Sequence, residues 1–209
     1  MAKELKAPEL MNYAMFCGGC GHGVLLRLIC ECLEEYGLDK KTIAAIGVGC
    51  SCHLKSGINV DLVQSPHGRA AAVATGIRRA EPDKFVFSYQ GDGDAYNIGL
   101  AETLNAAYRN ENICVFTINN GNFGMTGGQM APTSLPGQVT QTTPYGRDTN
   151  TAGYPVKVCE MLSTLDGCAY AERVCVTDIA NINKAKKAIK KAFQKQMNGE
   201  GFTFIEVLS

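Results

Sequence analysis

Residues Gly91–Gln129, GDGDAYNIGLAETLNAAYRNENICVFTINNGNFGMTGGQ, constrain the fold more tightly than any other stretch of the chain. Just before them, Lys84–Tyr89 (KFVFSY) reads as a strand. Within them, Tyr96–Arg109 places Ile98, Leu100, Ala101, Leu104 and Ala107 at near-helical spacing, which predicts a helix. Ile113–Ile118 (ICVFTI) is a continuous apolar run, the pattern of a parallel strand covered on both faces. Strand, glycine turn, helix and second parallel strand together put Asp92 and Asn119–Asn120 at one C-terminal sheet edge. In open α/β sheets ligands bind along that edge.

The residue types there point to a specific chemistry. Gly91 and Gly93 let the backbone approach a bulky anion with no Cβ in the way. The Asp92 carboxylate and the Asn120 amide oxygen are hard ligands. Mg²⁺ takes near-octahedral oxygens and is commonly shared between a few protein groups and substrate phosphates. A GDG turn alone fits an ordinary α/β connection equally well. The pairing with Asn119–Asn120 is what favours a metal and a diphosphate.

GDG followed by this NN resembles the thiamine diphosphate signature. The longer pattern, GDGDAYNIG…NNGNFGMTGGQMAPTS, is similar to the β subunit of 2-oxoacid:ferredoxin oxidoreductases, and the similarity runs from about Cys17 to the end. It implies an α/β fold: a single thiamine diphosphate-binding domain over residues 17–209, mainly parallel sheet with helices on both faces, behind an arm at residues 1–16. It implies side-chain Mg²⁺ ligands at Asp92 and Asn120 and a backbone ligand at Asn122. Cofactor contacts are expected from Cys50, Ser51, His67, Gly91, Asp92, Gly93, Asp94, Asn120, Asn122, Met125 and Thr126, with Met125–Gln129 closing around the diphosphate and thiazolium. His67 lies in an HGR that the family shares; read alone, it is a structural hydrogen-bonder.

The cysteines are uneven in kind. In CGGCGHG, Cys17–Gly23, the glycines allow two thiolates to converge on one metal centre. The alternatives are a zinc knuckle, a redox dithiol or a glycine loop with incidental cysteines. Zinc would need a second close pair, and Cys50 and Cys52 have only one residue between them. A thioredoxin-like dithiol would want a strand directly before it, and none is evident. Ile43–Val48 reads as a strand that delivers Gly49–Cys52 (GCSC) to the same edge. By the resemblance, Cys17, Cys20 and Cys50 are thiolates of a [4Fe–4S] cluster, while Cys52 has no counterpart. Cubane clusters take four cysteines. In the family the fourth follows a segment like GFTFIEVLS, and the sequence ends there at Ser209, so the expectation is a truncated chain whose fourth ligand is absent. Cys30, Cys32, Cys114, Cys159, Cys168 and Cys175 read as core or surface residues.

The rest of the chain narrows the setting. Its 20 Lys and Arg balance 20 Asp and Glu, which argues against nucleic acid and anionic membranes as partners. No apolar run has the length of a membrane span. The first residues are too charged for a signal peptide. Ten cysteines without a secretion signal argue against a disulfide framework, so the expected location is cytoplasmic. Helices are expected at Val24–Tyr36, within Ser65–Asp83, at Val156–Leu165 and at Ile179–Met197, the last capped by Asp178. Strands are expected at Asp61–Gln64, Ala169–Val174 and Phe202–Leu208. The lysines of 179–197 read as a solvated face above an apolar stripe. Residues 131–155 lack any apolar period, and a stretch of that length is usually functional or disordered. Arg147 within it reads as a solvated loop arginine, with a substrate carboxylate as the alternative partner.

The resemblance further implies CoA-dependent oxidative decarboxylation of a 2-oxoacid with electrons passed to ferredoxin. The expected partners are an α subunit carrying the activating glutamate, γ and δ subunits in some assemblies, and ferredoxin. The pattern is most like the 2-oxoglutarate and 2-oxoisovalerate members. The competing readings are another thiamine diphosphate-dependent decarboxylase or synthase subunit, and a noncatalytic metal-binding subunit.

Overall fold

A computed structural model describes residues 6–209; the first five residues of the expected arm lie outside the described residues. Six strands form one fully parallel sheet: β1 (Thr42–Ile46), β2 (Asp61–Gln64), β3 (Phe85–Gly91), β4 (Cys114–Asn119), β7 (Cys168–Cys175) and β8 (Phe202–Leu208), in the order β2-β1-β3-β4-β8-β7. A two-residue hairpin, β5 (Asn122–Phe123) with β6 (Gln129–Met130), sits beyond β4.

The alternation of side chains along the strands builds two cores. Phe85, Phe87 and Tyr89, with Phe116, Ile118, Ile205 and Val207, pack on one face under α1 (Gly21–Glu35) and α7 (Ile179–Met197). Val86, Val115, Phe202 and Phe204 pack on the other. That second face is covered by α3 (Ala70–Ala80), α4 (Leu100–Tyr108) and α6 (Val158–Leu162). Central strands buried on both sides explain the unbroken apolar runs. Two single-turn helices, α2 (Leu54–Gly57) and α5 (Thr149–Ala152), lie in connections. Asp178 caps α7 as expected, accepting from the Asn181 amide at 2.9 Å. The described part of the arm packs on the same body: Leu10 is buried, its amide donates to Glu34 at 2.7 Å, and Asn12 N donates to the Gly57 carbonyl.

One expected helix differs in an instructive way. The chain enters a π-helical turn at Gly93–Ile98 and becomes α-helical only from Leu100. The wider turn shifts the helical register, as π-bulges do, often at functional sites. The buried face is therefore Tyr96, Thr103, Ala106 and Ala107, while Ile98 and Ala101, expected inside, are exposed. The displaced turn brings Gly99 against the Gly68 carbonyl, where an added Cβ would sit 2.2 Å away.

Candidate active site

β3 and β4 are neighbours in register, with Gly91 opposite Ile118, so Asp92 and Asn119 leave the sheet side by side. Asp92 is buried and its two oxygens face different ways. Oδ2 accepts from the Gly121 amide at 3.0 Å and from the Thr133 hydroxyl. Oδ1 accepts from the Gly93 amide at 2.9 Å. Burial pushes the Asp92 carboxyl up to about 6, against the lowering effect of those hydrogen bonds.

The Asn120 side-chain oxygen lies 2.8 Å from the Asn122 carbonyl oxygen and 3.2 Å from Asp92 Oδ1. These spacings match an octahedron with metal–oxygen bonds of 2.0–2.1 Å, whose edges are about 2.9 Å. Turned over, the same amide would instead donate to both oxygens. One orientation suits a cation between the oxygens, and the other closes the cluster without one.

A cleft opens beside these oxygens, lined by His22, Gly49, Cys50, His67, Asp94, Phe123, Met125 and Thr126 as well as by Gly91, Asp92, Gly93, Asn120 and Asn122. Gly91 borders the cleft, and a Cβ built there would meet no protein atom within 4 Å. A Cβ on Gly93 would strike the Phe123 ring at 2.3 Å. The two glycines thus serve different needs, open space at one and tight packing at the other.

Asp94 is buried and braces three loops. It accepts from the Gly68 amide at 2.8 Å, from the Val48 amide at 3.4 Å and from Gln90 Nε2 at 2.7 Å, and the His67 imidazole rests against it. Thr126 spends its hydroxyl within its own turn, on the Phe123 carbonyl at 3.2 Å and on Gln129. Ser51 is fully buried, and its hydroxyl turns to the Val48 carbonyl rather than to the cleft wall.

Cys50 lines the cleft, while Cys17 and Cys20 border a second groove. Cys20 ends a turn closed on the Cys17 carbonyl at 3.1 Å and caps α1. Burial raises the Cys50 thiol, and the nearby Cys20, Cys17 and Cys52 thiols raise it further. Among the described residues no three His, Cys, Asp or Glu side chains are spaced to hold a single ion. A cubane is several atoms across, so its ligands stand wider apart than those of one ion. All ten cysteines are free, and Cys30, Cys32 and Cys114 lie in the core, where burial pushes each thiol up to about 12.

Two important residues, His22 and Thr133, escaped the sequence reading, and Arg147 differs from it. His22 is buried, stacked on Phe16 with ring centroids 4.7 Å apart, and its Nδ1 lies 2.8 Å from the Tyr89 hydroxyl. Burial, then the charge of His53, lowers it to about 4. Thr133 brings the 131–155 segment onto Asp92. Arg147 is neither solvated nor turned to the cleft: it is 5% exposed and donates to the carbonyls of Ala131, Pro132, Ser134, Ala152 and Gly153. The arginine fork ties together carbonyls of a segment without regular structure, although those of Ala131 and Pro132 also accept from the Ser134 and Val156 amides.

The family described as thiamine pyrophosphate enzyme, C-terminal TPP binding domain, matches residues 47–207. The 2-oxoglutarate synthase subunit KorB of Methanocaldococcus jannaschii is 37% identical over 93% of this chain and 68% of its own. The chain belongs to the thiamine pyrophosphate enzymes, among the 2-oxoacid:ferredoxin oxidoreductase subunits. The resemblance read from GDGDAYNIG and its NN partner is borne out. Another member of these oxidoreductases, the ketoisovalerate oxidoreductase subunit VorA of Methanothermobacter thermautotrophicus, is 49% identical over 99% of this chain, which spans 43% of that relative's length. The fold matches the 2-oxoglutarate:ferredoxin oxidoreductase of Magnetococcus marinus, solved with 2-oxoglutarate, coenzyme A and succinyl-CoA bound, with a TM-score of 0.82 and 30% identity over 99% of this chain and 68% of that one.

Proposed function

We propose that this chain is the thiamine diphosphate- and Mg²⁺-binding part of a 2-oxoacid:ferredoxin oxidoreductase, with residues 17–209 as the cofactor domain. The reading rests above all on the meeting of Asp92, Asn120 and Asn122 at the cleft, where the end of the Asn120 amide lies 2.8 Å from the Asn122 carbonyl oxygen and 3.2 Å from Asp92 Oδ1. These three atoms would hold Mg²⁺, and the open backbone at Gly91 would admit the diphosphate. Bound thiamine diphosphate supplies an electron sink for the carbon that loses CO₂ from a 2-oxoacid. Asp92 enters this arrangement already oriented by Gly121 and Thr133, so little reorganisation accompanies metal binding. His22, held neutral by burial, and Phe123 line the cleft.

Cys17, Cys20 and Cys50 would bind the iron–sulfur cluster that carries electrons towards ferredoxin, and coenzyme A would accept the acyl group. Among the described residues no glutamate lines the cleft, which supports an activating glutamate on a partner α subunit. No helix among the described residues is long and apolar enough to cross a membrane, and the free cysteines support a cytoplasmic location.

Calorimetric titration of thiamine diphosphate with Mg²⁺ tests the reading, with and without the α subunit. Binding is expected for the parent and is expected to vanish in Asp92→Ala. Failure of the parent to bind in both settings, or full binding by Asp92→Ala, would refute it.

A further inference from the structure

On the α3–α4–α6 face, the apolar alternation gives way to a polar row at the C-terminal edge of the sheet. Gln90 pairs with Thr117, Thr117 with Glu206, and Glu206 with Arg173, directly across four strands. Glu206 is 1% exposed in the middle of this row. Buried carboxylates are rare unless paired, and this one has partners on both sides. Its Oε2 accepts from Arg173 Nε, and its Oε1 accepts from Asn119 Nδ2 at 2.8 Å. Arg173 also reaches outward to Glu160, with two hydrogen bonds of 2.8 Å.

This pairing decides which way the Asn119 amide points. Glu206 acts as acceptor to both neighbours, so the Asn119 NH₂ must face it. The Asn119 oxygen must then face the other way, where it accepts from the Gly121 amide at 3.2 Å. Gly121 N is shared with Asp92 Oδ2 at 3.0 Å, and Gly121, at φ +70°, is the pivot between Asn120 and Asn122. An unbroken path thus runs from Arg173 through Glu206, Asn119 and Gly121 to the oxygen cluster.

We infer that Glu206 is a positioning residue for the Mg²⁺ site: it fixes the orientation of the Asn119 amide and thereby holds the Asn120–Asn122 turn against Asp92. The inference rests on the metal reading given above. Partners that orient metal ligands are typically worth about 10–100-fold in affinity.

A reciprocal swap tests it on the assembled enzyme, by Mg²⁺ titration at saturating thiamine diphosphate together with thermal melting. Asn119→Asp sets two carboxylates face to face. Glu206→Gln turns an NH₂ towards either Arg173 or the Asn119 NH₂. Each is expected to weaken Mg²⁺ binding about 10–100-fold. In the double variant, Gln at 206 donates to Asp at 119 and accepts from Arg173, and the second Asp oxygen accepts from Gly121. The double variant is expected to regain most of the lost affinity. Single variants that melt lower but bind Mg²⁺ as the parent does would overturn the inference, and so would a double variant no better than the weaker single one. A parent that binds no Mg²⁺–thiamine diphosphate would fail at the earlier step, and that failure is visible before any variant is compared.

Discussion

The oxygen wall of the cleft and the sulfur wall beside it, of which Cys50 alone borders the cleft, are built by opposite means. The oxygen wall, Asp92 with Asn120 and Asn122, is held by groups from four separate parts of the chain: Gly93, the Gly121 turn, Thr133 of the long connection and Glu206 of the last strand. The sulfur wall rests on short turns. Cys17 is exposed, Cys20 and Cys50 are half-buried, and the Cys17–Cys20 turn closes through one backbone bond at 3.1 Å. A small, hard cation demands near-ideal geometry and so needs ligands fixed in advance. Thiolates on a larger cluster can be ordered by the cluster itself, because metal binding and local folding are coupled. Damage should therefore travel far on the oxygen side and stay local on the sulfur side.

Arg147→Ala should break the oxygen wall most severely. It leaves five backbone carbonyls without their shared donor and releases the segment that presents Thr133, together with Ser134, whose hydroxyl holds the Gly121 carbonyl at 2.5 Å. Loss of a buried, multiply bonded group costs about 2–4 kcal/mol. For a chain of this size that lowers the melting temperature by roughly 5–15 °C. Melting curves and proteolysis within 131–155 would show it; unchanged melting and no new cleavage would contradict the keystone role.

Gly93→Ala and Gly91→Ala separate packing from ligand space on the same wall. The first drives a methyl into Phe123 and is expected to cost about 1–3 kcal/mol through overpacking. The second meets no protein atom and should melt as the parent does, yet lose affinity for thiamine diphosphate. Equal effects of the two on melting would remove the distinction drawn between the glycines.

Much of this was legible in the sequence, and the rest was hidden for definable reasons. Unbroken apolar runs gave the parallel strands, and Asp178 marked the start of α7, because those signals are local. The buried face of the helix after Gly93 was not legible, since one π-turn rotates every later residue and leaves no periodic trace. Arg147 was misread because an arginine in a polar stretch looks solvated, and only tertiary folding brings five carbonyls around it. Glu206 did leave a signal: a lone carboxylate inside FTFIEVL, a run too apolar to be a surface strand. Ser51 follows a metal-binding type of residue in sequence but is turned inward by the 3₁₀ turn at Cys50–His53.

On the sulfur wall, Cys17→Ser should leave melting within about 0.5 kcal/mol of the parent, as exposed substitutions do. Iron and sulfide content after reconstitution should fall, while calorimetric Mg²⁺–thiamine diphosphate binding stays. Loss of both cofactors together would show that the two walls are not independent.

A small effect should also come at the outer end of the polar row and shows how far the support of the oxygen wall reaches. Arg173 holds the Glu160 carboxyl down at about 2, from an ordinary 4.5, chiefly through its hydrogen bonds. Because the folded value is depressed, the pair stabilises the fold above pH ~4.5 and loses that contribution as pH falls towards 2. Glu160 is 53% exposed, so solvent screening should confine the gain to below about 1 kcal/mol. Glu160→Gln should therefore melt slightly lower than the parent at neutral pH, and the two curves should converge on acidification through that window. Mg²⁺ affinity should hardly move, because Glu206 keeps its own contact with Arg173. A loss of Mg²⁺ affinity as large as that expected for Glu206→Gln would mean that the row transmits from the surface inward, and that the boundary between scaffold and site lies outside β7.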